Sequence, residues 1–465
     1  MKRYIITLIG FIFTLTAFSQ GFKINVELPT ASGQNVLLAH YQTIQILIND
    51  TIILDNSGKG TFTGDTLLPQ GLYKIFYNNE NHFDFLLSAD QKFTISNSNF
   101  SNANIKIDGA KESEEFIKYM HFLSGQQKKR LDYESKWKEA TQQEKEIYQN
   151  EINNLTKELH TYWKTKAIEY PGTWLASFLM ANYVPVPENI PEEIKNNDSL
   201  LLRYEFDFQK THYFDYFDIT DKRFLTTPLL KPKLETYFMK VLFQMHDSIR
   251  IGVLDLIEKS RSSKPMFRYI TSYFLNESIN SKIMGIDALF VDIAKNYYLT
   301  GEAFWADSST IEKVRENVIF AEHNLIGQIA PELLLEGIDG EDFFSLHQIN
   351  TKITLLLIFE PGCSHCKEFV PAIYKDVYIP YRDKGLEVYA IYSMDNKKEW
   401  KEFIDKHELY DWINVWDEHH NSGFKILYDV RNTPRIYVLD ENKKIIAKKL
   451  SVEQVKRVVG IELGI

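Results

Sequence analysis

Thr354-Leu-Leu-Leu-Ile-Phe-Glu-Pro-Gly-Cys-Ser-His-Cys-Lys367 is the stretch from which the rest of the chain is read. Leu355 to Phe359 is a continuous apolar run, as expected of a strand buried on both faces. Pro361-Gly362 ends it. Cys363 and Cys366 follow at the expected start of a helix, and they are the only two cysteines in 465 residues. A disulfide stabilises mainly through the loop it closes, and this pair closes only two residues. Stability is therefore an unconvincing reason for the pair. Redox chemistry, half a zinc site or an idle remnant are what is left.

Outward from that stretch the pattern alternates between strand and helix. Leu333-Leu-Leu followed by Asp339-Gly340 reads as a β-hairpin. Beyond the cysteines come a strand over 386–392, a helix over 397–406, a short apolar run over 412–416 and a helix near 424–428. Strands over 435–439 and 444–450 then form a closing hairpin. Ser451 with Gln454 three residues on is a capping box for a last helix. Such an order specifies a mixed sheet covered by helices.

Four motifs occur in sequence: Ile326-Gly-x-x-Ala-Pro331, Cys363-Ser-His-Cys366, Val415-Trp-Asp417 ahead of Tyr428-Asp-Val430, and Thr433-Pro434-Arg-Ile-Tyr-Val-Leu-Asp440. Together they resemble the thioredoxin-like family of envelope thiol-disulfide oxidoreductases, the branch around the cytochrome-maturation reductases. The resemblance covers residues 324–465 and implies an α/β thioredoxin-like fold there. It also implies that Cys363 attacks and Cys366 resolves. A helix N-terminus stabilises a thiolate, which fits that order. Thr433 and Pro434 match the family's substrate-binding loop, where the proline is cis. His365 stands where oxidising relatives carry a histidine and is the candidate for tuning the redox potential. The implied partners are protein thiols or disulfides and an envelope electron donor or acceptor; no cofactor and no metal is implied.

Three positions depart from the family pattern. Phe369 stands where the branch carries an acid, Leu357 where thioredoxin has a buried Asp, and Gly362 where a Trp is usual. Glu360 and Glu368 are the nearby carboxylates, and both read as solvated. Rival functions follow from what is missing. A metal site lacks a second cysteine pair, and a peroxidase lacks its Thr-x-x-Cys surroundings. A non-catalytic binding or assembly module on the same scaffold is the remaining alternative, opposed by the retention of both cysteines and the Thr-Pro loop.

Toward the N-terminus the chemistry fades. Lys2 and Arg3 precede an apolar stretch from Ile5 to Phe18, and Ala17-x-Ser19 follows, so residues 1–19 read as a signal peptide. No later stretch is long and apolar enough to span a membrane. The expected location is therefore the periplasm or cell envelope. Residues 20–110 carry short alternating runs such as Phe22–Leu28 and Gly71–Tyr77, broken by turn formers, as in a β-sandwich. Their order resembles the β domain of unknown role that precedes envelope thioredoxin-like domains. Residues 111–323 turn helical: Phe116, Tyr119, Met120 and Leu123 fall on one face, and a long charged helix or hairpin is expected over 126–166. Further helices are expected over 234–256, 266–276, 284–298 and 311–320. The aromatic cluster at 212–217 is expected to be core. The chain is thus expected to be multidomain, with an all-β, an α-helical and an α/β part. With 53 Lys and Arg against 63 Asp and Glu, the net charge is -10 and no basic stripe invites a nucleic acid.

Overall fold

A computed structural model describes residues 21–465; the expected signal peptide, residues 1–19, lies outside the described residues. The described residues divide into two compact units, 21–241 and Leu242–Ile465.

The first unit begins with eight strands: β1 (Phe22–Glu27), β2 (Asn35–Gln42), β3 (Gln45–Ile53), β4 (Lys59–Gly64), β5 (Gly71–Phe76), β6 (His82–Leu87), β7 (Lys92–Ser96) and β8 (Lys106–Asp108). They form two four-stranded sheets, ordered β4-β1-β7-β8 and β3-β2-β5-β6. β1 shows the alternation a half-covered strand needs, with Phe22, Ile24 and Val26 buried. Between β3 and β4, the Asp55 carboxylate accepts from the N–H groups of Ser57 and Lys59. Gly58 completes that turn at φ +76°, where a Cβ would lie 2.5 Å from the Leu28 carbonyl.

Two long helices follow, α1 (Lys111–Glu139) and α2 (Gln142–Glu169), joined by a capping box at Thr141 and Glu144. The charged stretch is therefore a hairpin rather than one helix. The Ser113 hydroxyl donates to the Leu86 carbonyl at 2.6 Å and ties α1 onto β6. Phe122 stacks on Tyr162 with centroids 4.5 Å apart, joining the two helices. α3 (Trp174–Met180), α4 (Asp198–His212) and α5 (Leu230–Thr236) follow in the same unit. Tyr213 and Phe217 are buried, and Phe217 stacks on Phe224 at 4.0 Å.

The second unit opens with α6 (His246–Lys259), α7 (Lys264–Asn280), α8 (Asp287–Ile293) and α9 (Ser308–Ala321). The single helix expected over 234–256 is broken at 242–245. Asp247 in the first turn of α6 favours a fresh helix start there.

A seven-stranded mixed sheet follows, built from β9 (Leu334–Gly337), β10 (Phe343–Ser345), β11 (Ile353–Phe359), β12 (Leu386–Tyr392), β13 (Ile413–Trp416), β14 (Arg435–Leu439) and β15 (Ile445–Lys448). Its order is β10-β9-β13-β12-β11-β14-β15. β11 lies at the centre, parallel to β12 and antiparallel to β14. That position explains its unbroken hydrophobicity. Leu355, Leu357 and Phe359 join one core, with Cys366, Val370, Trp400 and Val455. Leu356 and Ile358 join the other, with Tyr389, Val415 and Tyr437. α10 (Ser364–Ile373), α11 (Lys397–His407) and α13 (Val452–Glu462) cover the first face, while α12 (Phe424–Leu427) contributes Phe424 to the second. The fold class expected from the sequence is the one observed: β sheets, then helices, then a thioredoxin-like α/β domain.

Candidate active site

The end of β11 aims the chain at the start of α10, and Pro361-Gly362 makes the turn between them. Cys363 is the N-cap of α10, half-buried, and Cys366 lies one turn inside with no exposed surface. The two thiols are free. Across from them, the loop before β14 carries Thr433 and Pro434, joined by a cis peptide bond. The Cys363 thiol donates to the Thr433 carbonyl at 3.4 Å. The structure thus brings Cys363, Cys366, Thr433 and Pro434 to one place from stretches 70 residues apart.

The two thiols have opposite electrostatics. Burial pushes the Cys363 pKa up, but hydrogen bonds to the sulfur outweigh it and hold the thiol below its ordinary value. They come from the Cys366 N–H, the Thr433 side chain, the Cys366 thiol and the His365 N–H. Burial dominates at Cys366 and pushes its pKa up to about 12, against smaller opposing hydrogen bonds from the Glu360 backbone and the Thr433 side chain. The outer sulfur is thus the more readily ionised of the two, and the inner one is held as a protonated thiol.

Two recesses flank the pair. A cleft of about 440 Å³ is lined by Cys363, Thr433, Met394, Lys425 and Arg431, with Glu360 also on its wall. A groove of about 770 Å³ runs along the other side of Pro434, lined by Phe369, Ile436, Leu450 and Val452 with Glu368 and Lys449. His365 borders both recesses with its side chain exposed. The part of His365 that lowers the Cys363 pKa is its backbone N–H. Phe369 is half-buried against the core, and Leu357 is fully buried. Among the described residues, no group of three His, Cys, Asp or Glu is placed to hold a metal ion.

One residue near the loop was not singled out from the sequence. Asp429 is 3% exposed and adopts φ +48°, a left-handed conformation that Asp tolerates better than most residues. Its carboxylate meets Arg431 at 2.5 Å, Arg435 at 3.3 Å and Lys449 at 3.8 Å. The Tyr428-Asp-Val signal was visible, but nothing local marks that Asp as buried.

A buried strand feeding a Cys-x-x-Cys helix that faces a cis-proline loop across a mixed sheet defines a thioredoxin-like domain. Residues 326–448 match the AhpC/TSA family, and residues 22–116 match a family described as Domain of unknown function (DUF4369). Thiol-disulfide oxidoreductase ResA of Bacillus cereus is 22% identical over 137 residues, which is 29% of this chain and 75% of that protein. Among solved structures, a domain of a possible thiol-disulfide isomerase from Cytophaga hutchinsonii is 36% identical. The match covers 29% of this chain and 90% of that one, with a TM-score of 0.28. A thioredoxin-like protein from Bacteroides caccae is 19% identical over 60% of this chain and 99% of its own, with a TM-score of 0.46. Residues 326–448 thus form a thioredoxin-like domain that matches the AhpC/TSA family and is similar to thiol-disulfide oxidoreductases.

Proposed function

We propose that the protein is an exported thiol-disulfide oxidoreductase that reduces disulfides in protein clients of the periplasm or cell envelope through Cys363-Ser-His-Cys366. The observation that carries this reading is the contrast between the two sulfurs: Cys363 is accessible with a lowered pKa, and Cys366 is buried with its pKa near 12.

In the first step the Cys363 thiolate attacks one client sulfur. A mixed disulfide forms, the client S–S bond breaks, and the other client sulfur leaves as a thiolate. Cys366 then loses its proton and attacks the Cys363 sulfur, which releases the second client thiolate. Two electrons and the Cys366 proton have passed to the client, the second client thiolate takes its proton from solvent, and the protein is left with a Cys363–Cys366 disulfide. An envelope dithiol donor restores it. Attack at Cys363 brings the two sulfurs together, and proton loss from Cys366 is favoured by the client thiolate leaving beside it. Thr433 and Pro434 hold the client against the pair, with its chain laid along the Thr433 backbone. The groups that lower the Cys363 pKa are neutral donors, which stabilise the thiolate less than a cationic partner would. That supports the reductase direction.

On this reading the chain is organised as a β module over 20–110, a helical region over 111–323 and the redox domain over 324–465. The test is equilibration of the two thiols with glutathione buffers. A potential near that of thioredoxin, about -270 mV, is expected, and one near -120 mV would make the protein an oxidase. Failure to reduce any model disulfide would sink the enzymatic reading.

A further inference from the structure

Arg431 reaches away from the redox site as well as toward it. Its guanidinium donates to the Asn317 side chain at 2.7 Å and lies over the Phe320 ring at 4.8 Å. Asn317 and Phe320 belong to α9, outside the thioredoxin-like sheet. On its other side Arg431 is held by the buried Asp429, which also takes Arg435. Arg431 and Arg435 bracket Asn432, Thr433 and Pro434. One carboxylate therefore ties down both ends of the loop that meets Cys363, and one arginine joins that loop to α9. A second link runs parallel to it, where the Asn324 side chain donates to the Leu427 carbonyl at 3.0 Å.

We propose that Asp429 and Arg431 form a brace that holds the Thr433 loop against α9, and that this brace sets the reactivity of Cys363. The proposal rests on the reading of Cys363 as the attacking thiol. Asp429 and Arg431 act as positioning residues: they order the segment that supplies the Thr433 contacts to the sulfur. Ion pairs between well-exposed groups contribute little, but here the carboxylate is 5% exposed and meets three cations at once. The helical region thereby acquires a part in the chemistry.

The effect is read from the pH dependence of Cys363 alkylation by iodoacetamide in the reduced full-length protein. Glu360, His365, Lys425 and Arg431 share the cleft with Cys363 and remain in place in two variants. In Asn317→Ala/Phe320→Ala no charge changes. The loosened loop should raise the Cys363 pKa by about half a unit, leaving roughly threefold less thiolate below it. In Asp429→Asn the left-handed backbone is kept and the charge is removed. Loss of a nearby negative charge alone would lower the thiol pKa; loss of positioning raises it.

A rise in both variants, each folded under the assay conditions, supports the brace. A fall or no change in Asp429→Asn overturns it. A rise there without one in the α9 variant overturns the link to α9. Alkylation is measurable in a protein that turns over nothing, so an absence of disulfide reduction counts against the proposed function alone.

Discussion

The Cys363 thiol lies 3.4 Å from the carbonyl oxygen of Thr433, and the Thr433 side chain lowers the pKa of both cysteines. A single loop residue thus serves the two sulfurs at once, while burial separates them. With Cys366 near pKa 12 and Cys363 below its ordinary 9.0, nearly all of the thiolate present at pH 8 is that of Cys363. Peptide mapping after brief alkylation of the reduced protein should find the label on Cys363. Cys363→Ser should abolish disulfide reduction, and Cys366→Ser should accumulate mixed disulfides with clients. Label divided evenly between the cysteines would contradict the asymmetry.

Stability of the reduced protein should carry the signature of Cys366. Its folded pKa is raised above the ordinary 9.0 to about 12, so the folded state holds the proton more tightly than the unfolded chain. The contribution is fully present below pH 9 and is lost as pH rises toward 12. Cys366→Ala removes the group and should flatten that part of the curve. Urea midpoints for parent and variant across this range decide it; parallel curves would mean that the thiol is not held protonated by the fold.

Phe369 stands where an acid was expected, and in the structure it forms part of the groove beside Pro434. Phe369→Ala should weaken client binding by about 1–2 kcal/mol, roughly tenfold in KM for a protein disulfide. Turnover of a small disulfide such as oxidised glutathione, which leaves the groove empty, should hardly change. Equal losses on both substrates would place Phe369 in the support of α10 instead.

How far the sequence led can be followed element by element. The central strand, the Cys363 helix and the hairpin at 435–448 were legible because burial on both faces, a Pro-Gly stop and two lone cysteines are local signals. β3 escaped enumeration because it lies at a sheet edge with nearly every side chain exposed, so no alternation marks it. The break at 242–245 interrupts an apolar run that satisfies helical periodicity on both sides. Asp429 was beyond reach for a different reason. Its burial depends on Arg431, Arg435 and Lys449 converging on it, and a charged residue in a loop otherwise reads as solvated.

Ser451 offers a check on a feature that both sequence and structure contain. Its hydroxyl accepts from the Gln454 N–H while the Gln454 side chain accepts from the Ser451 N–H. Ser451→Ala should cost about 1 kcal/mol, since it removes one partner of the box and leaves an N–H of the first turn unpaired. Chemical denaturation should show a lower midpoint at unchanged m. Ser451→Asp should retain most of the stability, because a carboxylate caps the same N–H.

Lys448 tests what the strand closing the sheet requires of the helices before it. Its ammonium is 2% exposed and meets the Asp287 carboxylate of α8 at 2.5 Å, the Asn324 carbonyl at 2.6 Å and the Asn324 side-chain oxygen at 3.0 Å. Burial lowers its pKa, and Asp287 opposes the shift. Removing the carboxylate leaves a buried cation with neutral partners only. Asp287→Ala is therefore expected to destabilise by about 3 kcal/mol, toward the lower end for a broken buried pair because Asp287 itself is 20% exposed. Lys448→Met removes the cation together with its desolvation cost and should be much milder. In the Lys448→Met background, Asp287→Ala should then cost little. Additive losses in this double-mutant cycle would mean that the two side chains contribute independently and that the ion pair is not what joins α8 to β15.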